Sequence, residues 1–581
     1  MSFIFIQFRQ LLRPQQSCNH SPDIPPNPPY SHYNPPNPHA KAPNPYPNTK
    51  TKPCNPNAYH SESFLHMDDA GSSYRSERQG IFAIFGVIAA FLFGVLCIVI
   101  GVCILHHVGP INEVVLPAGP WRNYNRPSVH APYTGLITFL PGAHLPLEIL
   151  SLLLNFGVTI FTESIGFVHS VALKSTLASE AQLAFNTSPR LFSLMHVSRW
   201  RHPNGPLFNA AMGALLTLSY SASSICIIPA LSLASNDGSA PKYWSACVFG
   251  VPVIVLGTTI LLQAIIAAYS IVSVKVLTWS SSPFDTTTAL LRNGLITRRT
   301  GRSMHTVVDK DDALPPTRRQ QPTAWQSHPV VWKVIIGLWL LCFACIVWGG
   351  WVYAVWLISP SDGSTYATTL SAWSLFPNNQ TTTWAYNFEV DPIQGMGTAW
   401  PLIFGLFVAF QGSLTFGLHC AELNVNIIRD EWQWRRATTS SGMVMSRNPL
   451  VSALGSWPNV LLLVAKPTLH WLFGQAMNVN ARAYPLGSAL LSINLVNCPI
   501  QIWNLAVALI IVTIGMTFLA FYRPRGLQPV TFGHIQTLAD VIDVWAPRIW
   551  WGYKVTNESI GHAGTSDWPL PPMDFGPTRI V

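Results

Sequence analysis

Residues 81 to 105 read IFAIFGVIAAFLFGVLCIVIGVCIL, a run without a single charge. At about 1.5 Å per residue a helix of this length crosses the ~30 Å hydrocarbon core of a bilayer, and it satisfies its own amides where no water can reach them. The run therefore predicts a transmembrane helix. The same test, moved outward, places further spans near 146–171, 208–232, 246–273, 332–358, 399–420, 458–477 and 504–522. The expectation is an all-α, polytopic transmembrane helical bundle of about eight spans over residues 81–522. Glu163 and Lys466 interrupt the second and seventh runs, so six or seven spans are the alternatives.

Composition agrees with this reading. Of 581 residues 49% are hydrophobic and only 10% charged, against roughly 25% charged in an average soluble protein. The mean hydropathy is +0.28 although the first eighty residues are polar, which excludes an ordinary soluble enzyme. The net charge of +9 does not imply nucleic acid, because in a membrane protein the placement of charge tells more than its sum. Segments before span one, between spans two and three, four and five, six and seven, and after span eight hold 29 of the 34 Lys and Arg residues; the alternate loops hold four, Arg122, Arg126, Lys242 and Arg482. This bias predicts that both termini are cytosolic. Whether the bilayer is the plasma membrane or an endomembrane is not legible.

The loop 359–398 fits the outer side, since it has no Lys or Arg and carries the acceptor triplet Asn379-Gln380-Thr381, a glycosylation candidate. Asn186 and Asn557 head similar triplets but fall on the cytosolic side and are read as chance matches. Residues 1–80 form a Pro/Asn-rich tail with fourteen prolines between 14 and 57, a composition that buries too little apolar surface to fold and predicts disorder. Its P-x-x-P spacings could meet a polyproline-binding partner, though a solvated tail is the plainer reading. MSFIFIQFRQLLR, broken by Gln7 and Arg9, is not read as a cleaved signal.

The cytosolic loop 275–330 is basic, with Arg298, Arg299 and Arg302 close together, and its expected partners are anionic lipid headgroups, about 1 kcal/mol per charge. In the cytosolic C-terminal segment, 523–581, HIQTLADVIDVW puts Ile535, Leu538, Val541, Ile542 and Trp545 at helical spacing, predicting a short helix with one packed face. The cysteines lie mostly in apolar runs and read as small core residues, including the C-x-x-C of Cys342 and Cys345.

Several strings resemble a large set of fungal multi-span membrane proteins of no assigned activity: FTESIGFVHS at 161–170, FNTSPRLFS at 185–193, TWSSSPFDTTTALLRNGL at 278–295, HCAELNVNIIRDEWQWRRA at 419–437, AKPTLHWLFG at 465–474 and TFGHIQTLADVID at 531–543. The resemblance covers about 80–570 and transfers no catalytic residue. Where such proteins are expected to continue with glycine and charged residues after the tail's second tryptophan, this chain has WWGYKVTNES. The long proline-rich N terminus is also its own.

Ionisable groups inside spans cost at least ~2.5 kcal/mol each at a helix centre and are functional candidates by default. Here they are Glu163, His169, Lys466 and His470, and a Glu163–Lys466 contact would relieve two burials at once. The bland alternative is a structural pair that fixes helix packing. His106, His107, His130 and His144 share the outer loop with Glu113 and Glu148, but their spacing matches no metal motif, so no metal and no cofactor are expected. HCAELNVNIIRDEWQWRR, with Glu431 and Arg435 one turn apart, reads as a helical extension. No catalytic motif occurs. The expected function is non-enzymatic, in membrane organisation or interaction; the alternative is a proton- or cation-coupled transporter or channel using Glu163 and Lys466. A continuous hydrated cavity would favour the alternative, and a dry pairing the first.

Overall fold

The structure is a computed structural model of the full chain. It describes residues 69–106, 136–139, 144–187, 202–232, 243–309, 320–358, 373–376, 384–389, 399–445, 455–483, 490–556, 560–571, 573 and 579–580. The Pro/Asn-rich tail up to residue 68, Asn379, His107, Glu113, His130 and Asn557 lie outside the described residues.

The chain is mostly helical, and six helices are long and apolar enough to cross a membrane: Arg78–His106, Leu147–Ser179, Gly250–Val272, Val331–Val355, Ala399–Thr438 and Pro499–Phe521. They belong to α1 (Asp69–His106), α2 (His144–Ser179), α4 (Gly250–Val272), α6 (Val331–Ile358), α7 (Ala399–Arg435) and α9 (Pro499–Phe521). The expected third and seventh spans correspond to α3 (Pro206–Cys226) and α8 (Trp457–Ala476), of 21 and 20 residues. These two are less apolar because much of each is interior. Ser219, Ser221, Ser223 and Ser224 of α3 and Lys466, His470 and Gln475 of α8 are buried among other helices rather than facing outward.

The all-α expectation is corrected by two sheets. In the first, β1 (Leu136–Phe139), β2 (Ile227–Ser232), β3 (Tyr243–Phe249), β4 (Trp384–Glu389), β5 (Met477–Ala483) and β6 (Leu490–Asn497) lie in the order β1-β3-β2-β5-β6-β4. Neighbours are antiparallel except β2 and β5, paired Ala230 to Ala481. Strands β2 and β3 take the ends of the expected spans 208–232 and 246–273, because short apolar runs such as Ile227-Ile228 and Cys247-Val248-Phe249 do not distinguish a strand from a helix end. Four strands of this sheet, β2, β3, β5 and β6, adjoin a helix end. α3 runs into β2 and α8 into β5; β3 leads into α4 and β6 into α9, so all meet the sheet at one end of the bundle.

Helices α1 and α4 cross at backbone contact. A Cβ on Gly257 would stand 2.5 Å from the Gly94 carbonyl, and one on Gly250 2.7 Å from that of Gly101. Small residues at a helix crossing allow this approach, and dispersion then replaces any hydrophobic drive that lipid cannot supply.

The opposite end is built from α5 (Pro283–Arg292), α10 (Ile535–Val541) and a second sheet containing β7 (Arg548–Thr556) and β8 (Ile560–Ser566). The helical reading of HIQTLADVIDVW holds for α10, and Ile535, Leu538, Val541, Ile542 and Trp545 are all buried. Asn186 fastens this end. Its Nδ2 donates to Ser281 O at 2.9 Å and Asp430 Oδ2 at 3.0 Å, and its backbone N donates to Gly533 O at 2.8 Å. Glu431 Oε1 accepts from Arg435 Nε at 2.8 Å, while Oε2 accepts from the amides of Thr531 and Phe532 at 3.0 and 2.9 Å. Gly533 has φ +74°, and a side chain there would strike Asp430.

Candidate functional site

The functional candidates sit where α2, α3, α7 and α8 meet. Lys466 is the centre. Its Nζ donates to Glu163 Oε1 at 2.6 Å and to Glu422 Oε2 at 2.8 Å, joining α8 to α2 and to α7. The lysine side chain is 3% exposed, while Glu163 and Glu422 retain 25% and 38%. Two carboxylates thus share one ammonium, each keeping an open side. His419, one turn before Glu422 on α7 and fully enclosed, places Nδ1 3.9 Å from Glu163 and 3.8 Å from Glu422.

Local sequence explains the placement. Glu163 and Lys466 are the residues that interrupt otherwise apolar helices, so each must find its partner within the bundle. Pro467 follows Lys466 inside α8 and has no amide to donate, which loosens the helix at the charged residue. Ser164, beside Glu163, packs at Gly86 of α1, where an added Cβ would be 3.1 Å away. Gly86 is five residues past Ile81, where the uncharged run begins, so the charged triad lies about 8 Å inside that end of the run. Glu163 is mid-helix in α2, which runs on to Ser179, but not mid-run in α1.

Polar side chains continue in both directions. Toward the sheet, His470 stacks on Tyr220, ring centroids 3.8 Å apart at 11°, and Gln411 Nε2 donates to His470 Nδ1 at 3.2 Å and to Ser224 Oγ at 3.1 Å. The Tyr220 hydroxyl donates to Thr159 Oγ1 at 3.2 Å, and Ser223 Oγ donates to Asn155 Oδ1 at 2.9 Å. Beyond them Glu148 Oε2 accepts from Gln475 Nε2 at 2.8 Å and Trp471 Nε1 at 3.2 Å. Toward the other end, Lys174 Nζ donates to Asn186 Oδ1 at 3.3 Å, and Asp430 is held by Asn186 and Arg429. From Glu148 to Lys174 this column follows α2 for about 39 Å.

Of the four sequence candidates, the structure brings Glu163 and Lys466 into contact and sets His470 in the next layer. His169 stands apart from them, with Nε2 2.8 Å from Asn209 Oδ1. Sequence reasoning missed Glu422, His419, Tyr220 and Gln411 as site residues. Glu422 looks like the first cytosolic residue after an apolar run, and only its i,i+3 spacing from His419 hinted otherwise.

Glu163, His419 and Glu422 offer ligand atoms within 4.8 Å of one another, a set of the kind that holds a cation. The Lys466 ammonium bridges both carboxylates, so an ion would have to displace it. Of the outer-loop set, Glu148 is engaged by Trp471 and Gln475.

These features define a membrane-embedded helical bundle with a charged triad in its interior. No family, curated protein or solved structure matches the chain.

Proposed function

We propose that the protein is an eight-span membrane transporter that moves protons or cations, with Glu163, Lys466 and Glu422 as its coupling site. The observation that carries this reading is one buried ammonium shared by two half-open carboxylates on separate helices. With Glu163 and Glu422 ionised and Lys466 charged, the triad holds one net negative charge. A proton or cation taken up by either carboxylate neutralises its half of the bridge and releases Lys466 to the other, so that binding is linked to the α8–α2 or α8–α7 contact. The polar column gives the ion side chains to follow on both sides of the triad.

Two further arguments support eight spans. α3 and α8 are each about 30 Å long, and each returns the chain to the sheet from the far end. The sheet collects four inter-helix connections, and these are the lysine- and arginine-poor loops, which supports an outer-side sheet and cytosolic termini. Asn379 then lies on the outer side, and the basic loop 275–330 faces inner-leaflet headgroups.

Thiol access tests the pathway. In a background lacking native cysteines, Asn155→Cys should react with a membrane-impermeant reagent from the outside and Glu422→Cys from the inside. Protection of both from both sides would sink the pathway and return the account to a dry structural pair.

A further inference from the structure

The end opposite the large sheet holds a cavity of about 230 Å³ lined by Arg299, Arg302, His305, Thr306, His534 and Asp540, among others. It is walled by two segments far apart in sequence. Arg299 N donates to Asp540 Oδ1 at 2.8 Å, Gln536 Nε2 donates to Thr297 O at 2.9 Å, and Val307 N donates to Val530 O at 3.3 Å. The backbone of the basic loop is therefore pinned along the TFGHIQTLADVID segment, which sets its arginines beside this cavity.

The division of labour among the charges matters. Asp540 and Asp309, the two carboxylates of the lining, are spent on the wall itself. Asp540 Oδ1 takes Arg299 N and Gln536 Nε2, each at 2.8 Å, and Asp309 Oδ2 takes Thr306 N and Oγ1, each at 2.8 Å. The Arg299 guanidinium makes no hydrogen bond among the described residues, and Arg299 is exposed at the cavity rim. Arg299 and Arg302 are the two arginines of the lining, beside Asp309 and Asp540. His534 lies within the field of Arg299: burial first, then that charge, bring its pKa down to about 4. The cavity thus combines two lining arginines, one of them with a guanidinium that makes no hydrogen bond among the described residues, and room for a small anion.

We infer that this cavity is a binding site for a phosphomonoester-bearing small molecule, gripped by Arg299 and Arg302 with the Thr306 and His305 wall behind it. A planar guanidinium fork matches phosphate oxygens bidentately, which a diffuse basic strip does not. The inference is independent of transport: the cavity could serve a bundle of any activity. Two sources share the chemistry, a phosphoinositide headgroup of the inner leaflet and a free inositol phosphate.

The test uses the full chain in phosphatidylcholine nanodiscs, titrated with inositol trisphosphate, and in parallel nanodiscs that also contain phosphatidylinositol bisphosphate. Arg299→Gln with Arg302→Gln should weaken binding about tenfold or more, whereas Lys275→Gln with Arg523→Gln, an equal loss of charge at exposed positions away from the cavity lining, should leave it within about twofold. Arg299→Lys, which keeps the charge and loses the fork, should weaken it several-fold. Pocket-dependent binding of the soluble probe supports the inference with a free ligand, and pocket-dependent binding in the lipid alone supports it with a headgroup. No binding of either probe, or equal loss in both charge-matched pairs, overturns it. If the double variant unfolds, the exposed single change Arg299→Gln is read in its place.

Discussion

Replacing Lys466 by methionine should cost more stability than replacing Glu163 by glutamine, for a reason visible in the triad. Lys466→Met keeps the buried volume but leaves two carboxylates facing each other without their shared cation. Removing one partner of a buried ion pair costs about 3–5 kcal/mol, and the partial exposure of Glu163 and Glu422 reduces that to roughly 2–3 kcal/mol. Glu163→Gln leaves Lys466 bound to Glu422 at 2.8 Å and substitutes an amide oxygen for the lost carboxylate, so about 1 kcal/mol is expected. In the double variant the two effects should fall short of their sum by roughly 1 kcal/mol or more, since both act on one contact. The assay is reversible unfolding of all four proteins in mixed detergent–lipid bicelles. A Glu163→Gln cost equal to or above that of Lys466→Met, or strict additivity, would refute the shared-ammonium reasoning.

Three other outcomes follow from the same structure. Gly257→Leu should separate α1 from α4 and lower the thermal transition in bicelles by several degrees, a cost of about 2 kcal/mol or more, whereas Gly515→Leu, with open space at its Cβ, should change it little. His328 and His534 flank Phe185 at 4.3 and 4.8 Å; burial, then a neighbouring charge, lowers the pKa of each to about 4. Because the unfolded histidines take up protons first as pH falls below about 6.5, the stability they allow is full above that pH and declines toward 4, by roughly 2 kcal/mol each at pH 5. Hydrogen exchange at residues 531–545, corrected for intrinsic rate, should quicken in that window, and an unchanged rate would contradict the burial. Finally, Asn379 should carry a glycan removable by an endoglycosidase while Asn186 carries none; the reverse would invert the proposed orientation.

The uncharged runs of α1, α4, α6 and α9 were legible because nothing but a helix satisfies so many amides in hydrocarbon. The large sheet was not, since Ile227–Ser232 and Tyr243–Phe249 are apolar segments contiguous with helices and differ from them only in pairing. The Glu163–Lys466 contact followed from charge complementarity, two costly burials with one mutual remedy. Glu422 was hidden in HCAELNVNIIRDE, which reads as a helical extension, and Asn186 in an acceptor triplet read as a chance match. Both depend on partners more than forty residues away in sequence, to which local spacing is blind. His169 shows the converse: its polar character marked it correctly as needing a partner, but that partner is Asn209 of α3.

The central claim is tested most directly by flux. Wild type, Glu163→Gln and Lys466→Met, each purified and reconstituted into proteoliposomes, would be compared for proton and cation movement under an imposed gradient. The account predicts flux in the wild type and its loss in both variants at equal protein incorporation. No flux in the wild type, or equal flux in all three, would contradict it and leave the triad as a lock on helix packing.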